Sequence, residues 1–216
     1  MSFSARLVRE TEPERSRFMT VPALAQGSAG NVTREAYLEF LAQAYHHVRH
    51  TVPLFEACAG RLPARLEWLR EPIADYIVEE AGHDQWILDD IAHAGGDAEA
   101  VRRGPPAPAT EIMIAYAYDT IARVNPIGLF GMVLVLEGTS VNLALRAADA
   151  LQAALGLPDE ALTYLRSHGA LDQEHMQGYA RIMDRVSDPE DQRCIVHAAR
   201  MFYRLYGDVF RALPVH

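Results

Sequence analysis

Along most of the chain, apolar residues recur at spacings of three and four, the period of a helix buried along one stripe. No alternating apolar run bounded by hairpin turns interrupts them. The first stretch predicts a short helix over about Glu12–Leu24, before the Gly27-Ser-Ala-Gly-Asn31 turn. Thr33 reads as the N-cap of the next helix, with Tyr37, Phe40, Leu41, Tyr45 and Val48 on one face and Pro53 kinking it or ending a turn. A long helix follows from about Pro63 to His93, carrying Leu66, Leu69, Ile73, Tyr76, Ile87, Leu88 and Ile91, bent or divided at Pro72 and closed by Gly95-Gly96. Residues 102–110 form a short Pro-rich loop, not a linker. Further helices are expected over about Glu111–Val124, Ile127–Leu155, Asp159–Val186 and Asp188–Leu213, broken at Asn125-Pro126 and Gly156. The Ile127–Leu155 helix is apolar almost all round in its first half, so it should be the central one. No repeat or internal boundary shows, and the expected fold is all-α: one domain over 1–216, a bundle of about seven helices.

Composition narrows the functional classes. A chain of 216 residues, half of them hydrophobic, buries a full core without disulfide staples. Its net charge of −9 argues against nucleic acid or an anionic membrane as partner. Cys58 and Cys194 are far apart, which excludes a disulfide framework and a thiolate zinc site and fits a reducing compartment, so a cytoplasmic location is expected. No secretory signal and no uninterrupted apolar run of about 18 residues is seen, so no membrane span is expected. Nine His beside twenty-nine Asp and Glu leave a surplus of metal-capable side chains.

Those side chains fall at helical spacing in three places. In His168-Gly-Ala-Leu-Asp172-Gln-Glu-His175, Asp172 lies about 40° and His175 about 20° from His168 around a helix, on opposite sides, so two imidazoles and a carboxylate share one stripe. Such donors suit iron, manganese or zinc; a solvated face with His–Asp pairs is the alternative. Glu80 and His83 form an E-x-x-H pair of the type that dimetal proteins place in bundle cores, with Glu79 the alternative carboxylate. Gly82 between them would cost a helix about 1 kcal/mol, pointing to close packing there. Glu137 is embedded in Phe130-Gly-Met-Val-Leu-Val-Leu-Glu137-Gly, where an ionised carboxylate needs a cation or other partner inside the bundle. Six nitrogen and oxygen donors from three helices suit two metal ions sharing carboxylates, with open positions for dioxygen.

The sequence resembles the heme-oxygenase-like superfamily, which includes TenA-type thiaminases, PQQ-synthesis oxidases and heme-oxygenase-like diiron oxidases. The resemblance covers most of the chain and rests on Phe18-Met-Thr-Val-Pro-Ala-Leu-Ala-Gln-Gly27, Tyr37-Leu-Glu-Phe-Leu-Ala-Gln-Ala-Tyr45, and Glu79-Glu80-Ala-Gly-His83 followed by Asp90 and Gly95-Gly96. The thiaminase pattern has an Asp before Tyr on the first long helix and a Cys on the central one; here Ala44 precedes Tyr45, and the central stretch carries Glu137. The diiron branch is matched at His168, Asp172 and His175, at Glu80 and His83, and at Glu137, whose implied role is that of bridging, catalytically essential carboxylate. Some members have a further Glu where this chain has Tyr76.

The resemblance also implies that the first long helix faces the cofactor pocket, which brings in His46, His47, Arg49 and His50. Arg49, His50 and Tyr76 are assigned to substrate: Arg49 as a bidentate anion partner, with a surface salt bridge, helix-surface His and core packing the respective alternatives. The resulting expectation is an iron-dependent oxidoreductase with two ions (manganese being the other candidate), held by Glu80, His83, Glu137, His168, Asp172 and His175, and acting with dioxygen on a small organic substrate with an apolar part. An electron donor is required, and a homodimer is compatible. The rival readings are a metal-free TenA- or PQQ-synthase-like pocket enzyme or small-molecule binder, and a heme-binding protein using a first-helix His.

Overall fold

The computed structural model describes residues 1–214, apart from the side chains of Asn142 and of residues 168–174. Among the described residues are eleven α-helices and no strand: α1 (Phe3–Met19), α2 (Pro22–Ser28), α3 (Arg34–Val48), α4 (Thr51–Ala59), α5 (Arg70–Glu80), α6 (His83–His93), α7 (Ala98–Arg103), α8 (Pro108–Asp119), α9 (Leu129–Leu155), α10 (Thr163–Arg185) and α11 (Pro189–Arg211). The all-α expectation holds, and the larger helix count comes from breaks inside expected helices.

Most of those breaks have a local cause. The Thr33 side chain accepts from the Ala36 N–H, capping α3. Pro53 would leave the Arg49 carbonyl without its helical donor and press its ring against it, so α3 ends at Val48 and Pro53 falls in the first turn of α4, where a missing N–H costs nothing. Pro72 likewise sits in the first turn of α5, after a 3₁₀ turn over Ala64–Leu69. Gly156 ends α9 in the left-handed region, and the Asp188 carboxylate accepts from the Glu190 N–H at the start of α11. The first helix departs from expectation: α1 starts at Phe3 and runs through Pro13, because Phe3, Leu7 and Phe18 are buried, with α11 and α10 packed against the helix.

As expected, α9 is central, with α10, α11 and α2 packed around it. Buried apolar residues form two clusters, not one. Leu129–Val135 of α9 join α1, α4, α5 and α11 in the first. Ala144, Ala148 and Leu151 of α9 join α3 and α6 in the second.

The start of α10 is set by a residue far away in sequence. Asp159, expected as its cap, lies in a 3₁₀ turn (Asp159–Ala161), and α10 begins at Thr163. There the fully buried Asp90 of α6 accepts from the Thr163 N–H (3.1 Å) and the Tyr164 N–H (2.8 Å). Burial pushes the Asp90 carboxyl up from 3.8 to about 6, against the opposing pull of those donors. A carboxyl raised in the fold favours it while protonated; that contribution is complete below about pH 3.8 and is lost as pH rises through about 6. Between about pH 4 and 7 the wild type should therefore lose on the order of 2–3 kcal/mol relative to Asp90→Asn, measured by urea unfolding across that range.

Candidate metal centre and adjoining cavity

The Glu80–His83 pair spans a helix break. Glu80 ends α5, Ala81 is extended, Gly82 takes φ +91° and His83 begins α6. A Cβ built on Gly82 would meet nothing within 4 Å, so close packing does not explain this glycine; its left-handed backbone does. The turn holds His83 Nδ1 at 3.1 Å from Glu80 Oε2, while the His83 ring stacks on Trp86 at 4.2 Å.

Glu137 lies on α9 between the stretches that enter the two hydrophobic clusters, and is 9% exposed. His175 comes from α10, which is continuous from Thr163 to Arg185. Ligand atoms of Glu80, Glu137 and His175 all lie within 4.8 Å of one another. His175 Nε2 is also 3.2 Å from Glu79 Oε2, a carboxylate about half exposed, so Glu79 closes the solvent side of the group. The donor set fits iron or manganese: two carboxylates and an imidazole in contact range, with a second imidazole on Glu80. His168 and Asp172 lie outside the described residues; their backbone belongs to α10.

Two phenols wall the group. Tyr179 donates to the Phe130 carbonyl (2.7 Å), and Tyr76 stacks on Phe55 (4.9 Å) with its edge toward the His175 ring (6.3 Å). Burial first and the Glu137 charge second raise both phenols well above their ordinary range, so both stay protonated. Cys58 is buried, donates to the Pro126 carbonyl and is pushed up to about 12 by burial, which leaves no thiolate nucleophile there.

A cavity of about 180 Å³ opens beside the cluster, lined by Glu80 and Glu137 and by apolar side chains such as Leu54, Phe55, Met132 and Leu136. Of the assigned substrate residues, none of Arg49, His50 and Tyr76 lines it. Arg49 is exposed and lies over the Tyr45 ring; His50 Nδ1 is 3.0 Å from the Tyr118 hydroxyl, and burial followed by the Arg49 charge lowers its pKa. His47, which the sequence did not separate from its neighbours, does line the cavity and meets the Tyr206 ring edge-on. Its signal was periodic: it lies three and seven residues from Ala44 and Phe40, both facing the interior, whereas Arg49 and His50 fall beyond the end of α3.

Residues 38–207 match the family model described as iron-containing redox enzyme. The chain belongs to the iron-containing redox enzyme family. Its fold is heme-oxygenase-like. A domain of unknown function with that fold from Shewanella denitrificans is 22% identical, with a TM-score of 0.85 over 99% of this chain and 92% of that one. A TenA homolog from Pseudomonas syringae (12% identity, TM-score 0.81, 98% and 91% covered) and a heme oxygenase from Leptospira interrogans (15%, 0.73, 99% and 100%) share the fold. No curated protein matches the chain in sequence.

Two carboxylates this close repel when no cation sits between them. Glu137→Gln should therefore stabilise the chelator-treated protein by about 1–2 kcal/mol in urea unfolding, the opposite sign from an ordinary buried polar truncation.

Proposed function

We propose that the protein is a non-heme dimetal oxidase, with iron as its metal, that uses dioxygen to oxidise a small organic substrate. The observation that carries this reading is the convergence of Glu80, Glu137 and His175 from three helices onto one point beside an apolar cavity, in a chain of the iron-containing redox enzyme family. Glu80, His83, Glu137, His168, Asp172 and His175 would hold the ions, Glu137 being the carboxylate to share between them. Bound iron supplies electron transfer to dioxygen, which closed-shell side chains cannot perform.

The protein's own contribution is to position and to exclude. The Gly82 turn keeps Glu80 and His83 together, and the Asp90 contacts fix where α10, and with it His175, begins. The apolar wall keeps water from the reacting end of the substrate. Tyr76 and Tyr179 pack around Glu137 and keep their protons, adding no negative charge to a group already rich in carboxylates.

Anaerobic ferrous loading followed by metal analysis tests this reading. Wild type should retain close to two irons per chain, and His175→Ala or Glu137→Gln one or none, with helical circular dichroism unchanged. The double variant His168→Ala/Asp172→Ala should also lose iron; unchanged iron content in it would overturn the dimetal assignment, as would a clean Soret band on hemin titration of iron-free wild type.

A further inference from the structure

Ring stacking connects the candidate metal centre to the outer side of α6. His83 opens that helix, and Trp86 lies one turn later on it. Long side chains on a helix lean toward its N-terminus, over the residue three or four positions earlier, which carries the indole back over His83. The two rings stack with 4.2 Å between centroids, 29° from parallel. His83 is buried, and its Nδ1 lies 3.1 Å from Glu80 Oε2. A Glu80 oxygen lies in turn within 4.8 Å of ligand atoms of Glu137 and His175. Trp86 itself is half-buried, and Gln85 and Asp89 of the same helix are exposed. Indole, imidazole and carboxylate therefore form a series of contacts that runs from the half-buried Trp86 to the point where the helices converge.

Core packing does not account for this tryptophan. Among the described residues it belongs to neither apolar cluster. Trp68, the chain's other tryptophan, packs against the first cluster and carries the Arg185 guanidinium over its ring at 4.1 Å. The phenols near the centre are placed differently. Tyr76 and Tyr179 are buried, and burial, followed by the Glu137 charge, keeps their protons on. A phenol gives up an electron readily only as its proton leaves, and the Tyr179 hydroxyl donates to the Phe130 carbonyl, too weak a base to take that proton. An indole gives up an electron and keeps its N–H. The positive charge this leaves is stabilised by a nearby carboxylate, and Glu80 supplies one at the stacked imidazole.

We propose that Trp86 is the residue through which single electrons enter the metal centre. Full reduction of dioxygen to water takes more electrons than a substrate losing one pair provides, so a one-electron reductant such as ascorbate supplies the rest. The indole gives one electron through His83 to iron that dioxygen has oxidised, and the resulting radical cation takes one electron from the reductant. No bond forms or breaks, the proton stays on the indole nitrogen, and the net change is one electron moved from reductant to iron. The proposal rests on the oxidase reading above and assigns its electron path.

Trp68→Phe leaves Trp86 as the single tryptophan and does not touch the site. Loaded anaerobically with ferrous iron, mixed with dioxygen without substrate and freeze-quenched, this variant should show the electron paramagnetic resonance signal of an indole radical. Ring-deuterated tryptophan should narrow the signal, and ring-deuterated tyrosine should leave it unchanged. Ascorbate should shorten the life of the radical in proportion to its concentration. Trp86→Phe should abolish the signal, with iron content and helical circular dichroism unchanged; the labelling in Trp68→Phe decides the point even where Trp86→Phe fails to fold. A signal narrowed by deuterated tyrosine, an indole signal that ascorbate leaves unaltered, or one that persists in Trp86→Phe would each overturn the proposal. Iron content separates the two claims. A chain that retains no iron overturns the oxidase reading and this proposal with it, whereas retained iron without an indole radical overturns the electron path alone.

Discussion

Glu137 is a carboxylate set in the long, largely apolar central helix, and its burial is the constraint around which the rest is arranged. A charge there is tolerable only with compensation close by; α10 brings the His175 imidazole to it, while Glu80 at the end of α5 adds a second carboxylate that only a shared cation would balance. The same residue marks where the hydrophobic core divides. Buried apolar side chains before it on α9 (Leu129–Val135) belong to one cluster and those after it (Ala144, Ala148 and Leu151) to the other, and the cavity takes its lining from both. A core built around such a residue trades packing for a site, since the space beside Glu137 could otherwise have been filled with side chain.

The helices that serve Glu137 are held by backbone devices as much as by apolar contact. At Gly82 the chain turns through a left-handed residue, so that α5 and α6 present Glu80 and His83 to each other across a break instead of along one helix. At the other edge, Asp90 accepts two N–H groups from the first turn of α10, satisfying donors that a helix start otherwise leaves open. Both devices lie on or next to α6: one sets the end of α5 against it, the other the start of α10.

Much of the fold was legible because its signals are local. Thr33, Pro126, Gly156 and Asp188 each act on backbone groups within a turn of themselves, and each marks an element boundary where expected. The break at Gly82 was not legible, because a glycine inside a helical pattern looks the same whether it relieves packing or adopts positive φ; the open space around it decides for the latter. The cap of α10 was misread for a related reason: Asp159 has the right residue type and place, but Asp90, 73 and 74 residues from its donors, is the acceptor in fact.

By itself the sequence determined the all-α class, most helix ends and the residue types able to hold a metal, since periodicity, capping chemistry and donor character are properties of short segments. Tertiary structure decided which of those residues meet. Two charges adjacent in sequence, Glu79 and Glu80, part ways, one covering His175 from the solvent side and the other reaching the cavity. Of four polar residues clustered near the end of α3, only His47 faces the cavity, because the helix stops before Arg49 and His50 can follow its face. Where the empty space lies depends on how two clusters fail to close around one helix, which no local pattern encodes.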